Sequence, residues 1–297
     1  MPPAHVVRRL ISVASVRRES QVASQKFSSG LSEIPGKMRS LSRFRLITFD
    51  VTNTLLQFRT TPGKQYGEIG ALFGARCDNN ELAKNFKANW YKMNRDYPNF
   101  GRDTKPQMEW QQWWRKLIAG TFSESGAAIP DEKLHNFSNH LIELYKTSIC
   151  WQPCNGSVEL LQHIRKDLKP EKCKLGVIAN FDPRLTTLLQ NTKLDQYLDF
   201  AVNSYEVQAE KPDPQIFHKA MEKSGLDNLR PEECLHIGDG PTTDYLAAKE
   251  LGWHSALVHE KSYAYLVKKY GEDIDRDHVF PSLYDFHKKI SDGVVVW

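Results

Sequence analysis

The sequence predicts an α/β fold in which a mostly parallel β-sheet carries helices on both faces and a helical cap domain is inserted into the core. Two observations support this fold class. From residue 150 onward, short apolar segments alternate with amphipathic segments of about ten residues, a pattern typical of βαβ units. Before residue 150, a long block with helical periodicity follows the first predicted strand. We therefore assign residues 43–60 and 150–297 to the core and residues 61–149 to the cap.

The first predicted strand, residues 46–49, is a short apolar run that ends in Asp50 and a polar turn. Runs of this kind are typical of buried strands in parallel sheets, and ligands of open α/β sheets bind just beyond the carboxyl ends of the strands. Asp50 is therefore a candidate site residue. On this stretch alone, an aspartate that only caps the following turn is the alternative interpretation.

Polar side chains also follow the later strands. The further predicted strands are residues 172–178, 199–202, 234–237 and 255–258. Right-handed crossovers between them would give a Rossmann-like sheet covered on both faces. Asn180, Lys211, Asp239 and Asp244 all lie at or shortly after strand ends. We expect these side chains to meet Asp50 at one edge of the sheet.

The predicted cap contains stripes of apolar side chains at helical spacing. The clearest stripe consists of Trp110, Trp113, Trp114 and Leu117. A tryptophan stripe at this spacing is typical of packing, so we predict that it forms part of a core. The last cap helix is predicted to start at Pro130-Asp131. Three or four helices of this kind would form a lid over the site.

The first 42 residues differ in composition from the rest of the chain. They are rich in Ser and Arg and carry a formal charge of +5, whereas the remaining residues carry −1. This basic, amphipathic segment resembles a mitochondrial transit peptide, and a disordered tail, omitted if translation starts at Met38, is the alternative. We expect an intracellular protein, mitochondrial if residues 1–42 are a presequence and otherwise cytosolic or nuclear.

Composition argues against several classes of protein. No run approaches the roughly 18 apolar residues that span a bilayer. The nearly neutral remainder shows no cluster of basic residues typical of nucleic-acid binding. The chain has five cysteines, an odd number that favours a reducing compartment, and Cys150 and Cys154 have no second pair at zinc spacing. We expect no nucleic-acid or membrane partner, and we favour a monomer.

The order and spacing of the polar residues resemble the haloacid dehalogenase superfamily of hydrolases. The matching residues are Asp50, Thr54, Lys211, Asp239 and Asp244. The resemblance extends over about residues 44–285 and includes the helical insert, which is similar to the lid of that family. It implies a hydrolase with a Rossmann-like core and a small phosphorylated substrate.

The resemblance also implies Mg²⁺ as the cofactor. Three converging carboxylates repel one another unless a hard cation joins them, and Mg²⁺ prefers oxygen ligands. The implied ligands are Asp50, Asp239 and the backbone carbonyl of Thr52. Asp244 is either a further ligand or a residue that contacts one of the ligands. With Mg²⁺ and Lys211 neutralising a phosphate, Asp50 would attack phosphorus and form an aspartyl-phosphate.

Two positions depart from the family pattern. Thr52 stands where the family has an aspartate that protonates the leaving group and later activates water; its hydroxyl can orient water but cannot exchange protons near pH 7. General acid–base groups contribute about 10²- to 10⁴-fold to rate. Ala179 stands where the family has a hydroxyl for the phosphate, so Asn180 and Thr54 are the candidate substrate contacts. We expect a slow phosphatase.

Two other functions remain open. A catalytically impaired member would bind Mg²⁺ and a phosphate ligand and act through interaction, which Thr52 and Ala179 favour. A metal-free dehalogenase would attack carbon with Asp50. The pair of Asp239 and Asp244 argues against a dehalogenase, because metal-free chemistry at an aspartate gains nothing from additional negative charge nearby.

Overall fold

The computed structural model describes residues 40–127, 129–168 and 170–297. Its main sheet confirms the predicted α/β class. The strands of this sheet are β1 (Leu46–Phe49), β4 (Lys174–Ala179), β5 (Phe200–Asn203), β6 (Cys234–Gly238), β7 (His254–Val258) and β8 (Val279–Phe280). All neighbours pair in parallel, in the order β5-β4-β1-β6-β7-β8. Strand β1 therefore lies where the chain order reverses, the position at which open α/β sheets bind ligands.

Helices cover both faces of this sheet. They are α5 (Ser157–Asp167), α6 (Leu185–Asn191), α7 (Ser204–Val207), α8 (Pro214–Ser224), α9 (Ala247–Glu250), α10 (Tyr263–Tyr270) and α11 (Leu283–Ser291). Every residue of β1 is buried, and its side chains alternate between two cores. Ile47 and Phe49 pack with α5, α6 and α11, whereas Leu46 packs with α8 and α9. Burial on both faces explains why β1 is a continuous apolar run.

The cap has a hydrophobic core of its own. Its helices are α1 (Pro62–Leu72), α2 (Asn79–Asp96), α3 (Trp110–Glu124) and α4 (Asp131–Leu144). The last of these starts at Asp131, as expected from the sequence. Trp113 and Leu117 are fully buried in this core, as predicted, but Trp114 lines the cavity between cap and core. Trp110 and Trp114 are half-buried and pack against this core, so the stripe packs as predicted while Trp114 also forms part of the cavity wall.

A second, two-stranded sheet joins the two crossings between core and cap. Strands β2 (Leu56–Phe58) and β3 (Trp151–Pro153) pair antiparallel, with Phe58 opposite Trp151. The centroids of these two rings are 4.1 Å apart. The sequence does not predict this sheet, because two three-residue strands have too little periodicity to be recognised.

Other boundaries also differ from the expected ones. Most of the predicted extension, residues 1–42, lies outside the described residues, but Leu41 is fully buried in the core, so the core begins before residue 43. The sequence predicts a helix over residues 245–251, whereas the chain forms a π-helical turn at Pro241–Leu246 before α9. Short 3₁₀ turns occur at Asn99–Gly101, Asp195–Tyr197, Pro231–Glu233 and Arg276–His278. In the part of the chain described, no helix combines the length and apolarity needed to cross a bilayer.

Candidate active site

The carboxyl edge of the main sheet brings the predicted site residues together. Asp50 directly follows β1, and Asp239 directly follows β6. One cavity of about 130 Å³ lies between this edge and the cap. Of the predicted residues, its walls include Asp50, Thr52, Asn180, Lys211, Asp239 and Asp244. Thr54 does not line the cavity; it is fully buried, and its hydroxyl has no hydrogen-bond partner among the described residues.

Three carboxylates form a compact acidic cluster. Asp50, Asp239 and Asp244 each offer an oxygen that lies within 4.8 Å of the other two, and all three residues are buried. Gly238 makes this approach possible, because a Cβ at that position would lie 2.3 Å from the carboxyl carbon of Asp244. The Gly-Asp pair at the end of β6 is thus a steric requirement of the cluster.

Lys211 is the cation at the centre of the cluster. Its Nζ donates to Asp50 Oδ1 at 2.8 Å, to Asp244 Oδ1 at 2.5 Å and to the Ile178 carbonyl at 2.7 Å. Asn180 holds the Lys211 backbone, accepting from its N–H at 2.7 Å and donating to its carbonyl at 2.9 Å. Both the NH₂ group and the oxygen of the Asn180 amide therefore position Lys211. The sequence predicts instead that this amide contacts the substrate.

Burial and charge fix different protonation states in this cluster. Burial raises the pKa of Asp50 to about 6, with Lys211 opposing the rise and the Asp244 carboxylate adding to it. Burial also disfavours the anionic form of Asp244, but Lys211 and His236 outweigh it and lower the pKa of Asp244. For Lys211, burial is outweighed by the two carboxylates, which raise its pKa. Lys211 is therefore charged and Asp244 anionic.

His236 supports Asp244 from behind and was missed in the sequence. Its Nε2 lies 3.1 Å from Asp244 Oδ1, and its Nδ1 lies 2.8 Å from the Thr48 hydroxyl. Burial lowers the pKa of His236. Because an ionised carboxylate only accepts hydrogen bonds, we assign the Nε2–H tautomer, in which Nδ1 accepts from Thr48. The signal available in the sequence is that Thr48 and His236 are polar residues inside two apolar strands, and these two residues are neighbours in the sheet.

A buried ion pair links the segment after β4 to the cap. Arg184 donates to Asp182 Oδ1 through Nε at 2.9 Å and to Oδ2 through Nη2 at 2.6 Å. The Trp114 indole N–H donates to the same Oδ2 at 2.8 Å, and the guanidinium lies 4.6 Å from the centroid of the Trp114 ring. All three residues line the cavity. Neither member of the ion pair is predicted from the sequence to be a site residue.

The acidic cluster fits a hard divalent cation. Its donors are carboxylate oxygens, and three carboxylates face one ammonium group in a buried site, which leaves an excess of negative charge. Thr52 lies between Asp50 and β2, is half-buried and lines the cavity beside the cluster. This position is compatible with the carbonyl ligand that the family resemblance implies.

Comparison with known proteins identifies relatives along most of the chain. Residues 44–252 match the model of the haloacid dehalogenase-like hydrolases. The rhythmically expressed gene 2 protein of Drosophila melanogaster is 96% identical over 260 residues, which are 88% of this chain and 100% of that protein. Haloacid dehalogenase-like hydrolase domain-containing protein 3 of Xenopus laevis is 32% identical over 238 residues, 80% of this chain and 92% of that protein.

Solved structures with low sequence identity share the fold. The HAD-hydrolase YfnB of Bacillus subtilis, whose structure contains magnesium, has a TM-score of 0.57 at 15% identity, covering 84% of this chain and 99% of that one. The L-2-haloacid dehalogenase of Xanthobacter autotrophicus has a TM-score of 0.57 at 16% identity, covering 83% of this chain and 98% of that one. The fold is thus shared over most of the length of each chain.

Proposed function

We propose that this chain, which belongs to the haloacid dehalogenase-like hydrolases, is a Mg²⁺-dependent phosphatase that acts slowly on a small phosphorylated metabolite. The observation that supports this proposal is the placement of Lys211 between two carboxylates at one end of a covered cavity. An ammonium group and a metal-binding acidic cluster at the same position are what a phosphoryl group requires.

Asp50 is the nucleophile in this proposal. Its carboxylate oxygen forms a bond to phosphorus while the bond from phosphorus to the leaving oxygen breaks, which gives an aspartyl-phosphate and an alcohol. Lys211 holds Asp50 in place and offsets the charge of the phosphoryl oxygens. Mg²⁺, held by Asp50, Asp239, Asp244 and the Thr52 carbonyl, would supply further charge neutralisation. Water then attacks phosphorus and releases phosphate, which restores the Asp50 carboxylate.

Thr52 limits the rate of both steps. No carboxyl group at this position donates a proton to the leaving oxygen or accepts one from the attacking water. The proton must therefore come from and return to solvent, and the expected cost is about 10²-fold or more in rate. The cap forms one wall of the cavity and restricts the access of bulk water to the phosphoryl group, so proton exchange with solvent is slow.

A screen of phosphorylated metabolites with Mg²⁺ tests the proposal, using the wild type, Asp50→Asn and Thr52→Asp. We expect slow turnover by the wild type, none by Asp50→Asn, and a gain of about tenfold or more for Thr52→Asp. Asp273→Asn, an exposed carboxylate, serves as the matched control and should behave as wild type. Wild-type turnover by Asp50→Asn would refute the nucleophile assignment.

A second candidate is a Mg²⁺- and phosphate-binding protein without appreciable turnover. The observation that favours it is that the Asn180 amide is engaged with the Lys211 backbone while Ala179 supplies no hydroxyl. This candidate predicts that phosphate binds in the presence of Mg²⁺ by calorimetry, whereas phosphate release stays at the level of Asp50→Asn. A single-turnover measurement with excess enzyme separates the two functions.

A further inference from the structure

The cavity has two chemically different parts, and the part beyond the acidic cluster is aromatic. Nine of the twenty residues that line the cavity carry aromatic rings, contributed by the cap, by the two-stranded sheet and by the segment after β4. Trp114 and Phe100 lie nearly parallel, with their centroids 6.2 Å apart and their planes at 27°. Walls of this kind favour flat apolar groups, because aromatic rings prefer stacked and edge-to-face arrangements with other rings.

The cations of the cavity are already paired. Among the described residues that line it, the side chains with a positive charge are Lys211 and Arg184. Lys211 is bonded to the carboxylates of the acidic cluster, and Arg184 forms a two-point ion pair with Asp182. A second anionic group on a ligand would therefore be buried without a counter-charge of its own, which is strongly unfavourable.

One polar group among the aromatic rings lacks a partner. The Tyr145 hydroxyl is buried, belongs to a residue that lines the cavity, and has no hydrogen-bond partner among the described residues. Burial holds the pKa of Tyr145 well above its usual value, so the hydroxyl remains a donor. A buried donor without an acceptor is costly, and a ligand acceptor would remove that cost.

We infer that the ligand is the monophosphate of a small, flat, aromatic alcohol that carries no second anionic group and presents a neutral hydrogen-bond acceptor to Tyr145. This inference rests on the proposed function for the phosphate end and adds the class of the leaving group. Sugar phosphates fit less well, because aromatic rings form much of the wall and would leave several hydroxyl groups without polar partners. Nucleotides with more than one phosphate do not fit, because the additional anions would lack counter-charges.

Binding of phosphonates, which are not hydrolysed, tests the leaving group without relying on turnover. In the presence of Mg²⁺, calorimetry and tryptophan fluorescence compare methylphosphonate, benzylphosphonate and cyclohexylmethylphosphonate. We expect benzylphosphonate to bind about tenfold or more tightly than methylphosphonate and several-fold more tightly than the cyclohexyl compound. Equal affinity of the benzyl and cyclohexyl compounds would overturn the assignment of a flat aromatic group.

Substituents on the ring test the charge and the acceptor. A 4-carboxy group should weaken binding of benzylphosphonate about tenfold, and a 4-acetyl group should strengthen it about fivefold. Tyr145→Phe should abolish the gain from the acetyl group, whereas Tyr284→Phe, which replaces an exposed tyrosine on α11, should keep the gain. An acetyl gain that persists in Tyr145→Phe would overturn the role of the hydroxyl.

The inferred ligand class and the proposed phosphatase activity can fail independently of each other. Selective binding of aryl phosphonates without turnover of any monophosphate would support the inferred ligand class and refute the phosphatase. Turnover of sugar phosphates together with equal binding of methylphosphonate and benzylphosphonate would support the phosphatase and refute the ligand class.

Discussion

The two ends of the cavity differ in how firmly their side chains are held. At the acidic end, Lys211, Asp244 and His236 are fixed by one another and by the ends of buried strands. At the other end, rings from the cap and its connections surround a space with few fixed polar contacts. In the proposed function, the core therefore holds the phosphoryl group at a rigid site, and the cap selects the rest of the ligand. Substitutions at the two ends should accordingly have different consequences.

Lys211→Met should have the largest effect. It leaves Asp50 and Asp244 buried together without their cation, which we expect to lower the free energy of unfolding by about 3 kcal/mol and activity by about 10³-fold. Chemical denaturation and phosphate release measure these changes. Lys84→Met, which replaces an exposed lysine, is the control. Unchanged stability of Lys211→Met would show that the ion pairs at the acidic end are unimportant for the fold.

Removal of Mg²⁺ is expected to act only at the acidic end. With Mg²⁺ at about 100 times its dissociation constant, the wild type should gain about 2.7 kcal/mol of stability, and chelator should abolish turnover. Asp239→Asn should lose most of this gain, because it removes one carboxylate of the cluster. Thermal unfolding with and without Mg²⁺ provides the measurement. Turnover of a haloacid that survives chelator would instead favour a metal-free dehalogenase.

Much of the acidic end of the cavity could be predicted from the sequence, whereas most of the aromatic end, which the cap helps to form, could not. Asp50 and Asp239 follow apolar runs, and parallel strands necessarily bring their carboxyl ends to one edge. Trp114 shows why the cap resisted prediction, because its helical spacing is the same whether the ring packs in a core or faces a cavity. The Asn180 amide is a further case, since only three-dimensional contacts reveal that it holds the Lys211 backbone.

His236→Phe tests whether the support behind Asp244 matters. The substitution keeps a ring of similar size but leaves Asp244 and Thr48 without their common partner, so we expect a loss of about 2 kcal/mol in stability. Thr48→Val in the same background should add little to the loss, because the bond between Thr48 and His236 is already absent and the hydroxyl keeps only a long contact of 3.4 Å to the Leu235 carbonyl. Denaturation curves of the single and double variants provide the measurement, and additive losses would argue against the hydrogen-bond chain.

Trp114→Phe should have the smallest effect and should act through the cap. It removes the indole N–H that donates to Asp182 while keeping an aromatic ring beside Arg184, and we expect about a tenfold rise in KM with a smaller change in kcat. Trp110→Phe, on the same helix, is the control because Trp110 contacts Arg184 through its ring alone. Equal effects of the two variants would mean that the bond to Asp182 does not hold the cap.

The central claim is that Asp50 carries the phosphoryl group, and trapping the phosphorylated protein tests it most directly. Acid quenching during turnover, followed by peptide mass spectrometry, should find one phosphoryl group on Asp50 in the wild type and none in Asp50→Asn. Thr52→Asp should also be phosphorylated on Asp50 and should turn over faster, because the added carboxylate assists both formation and hydrolysis of the aspartyl-phosphate. Turnover without any phosphorylated Asp50, or phosphorylation that persists in Asp50→Asn, would contradict the claim.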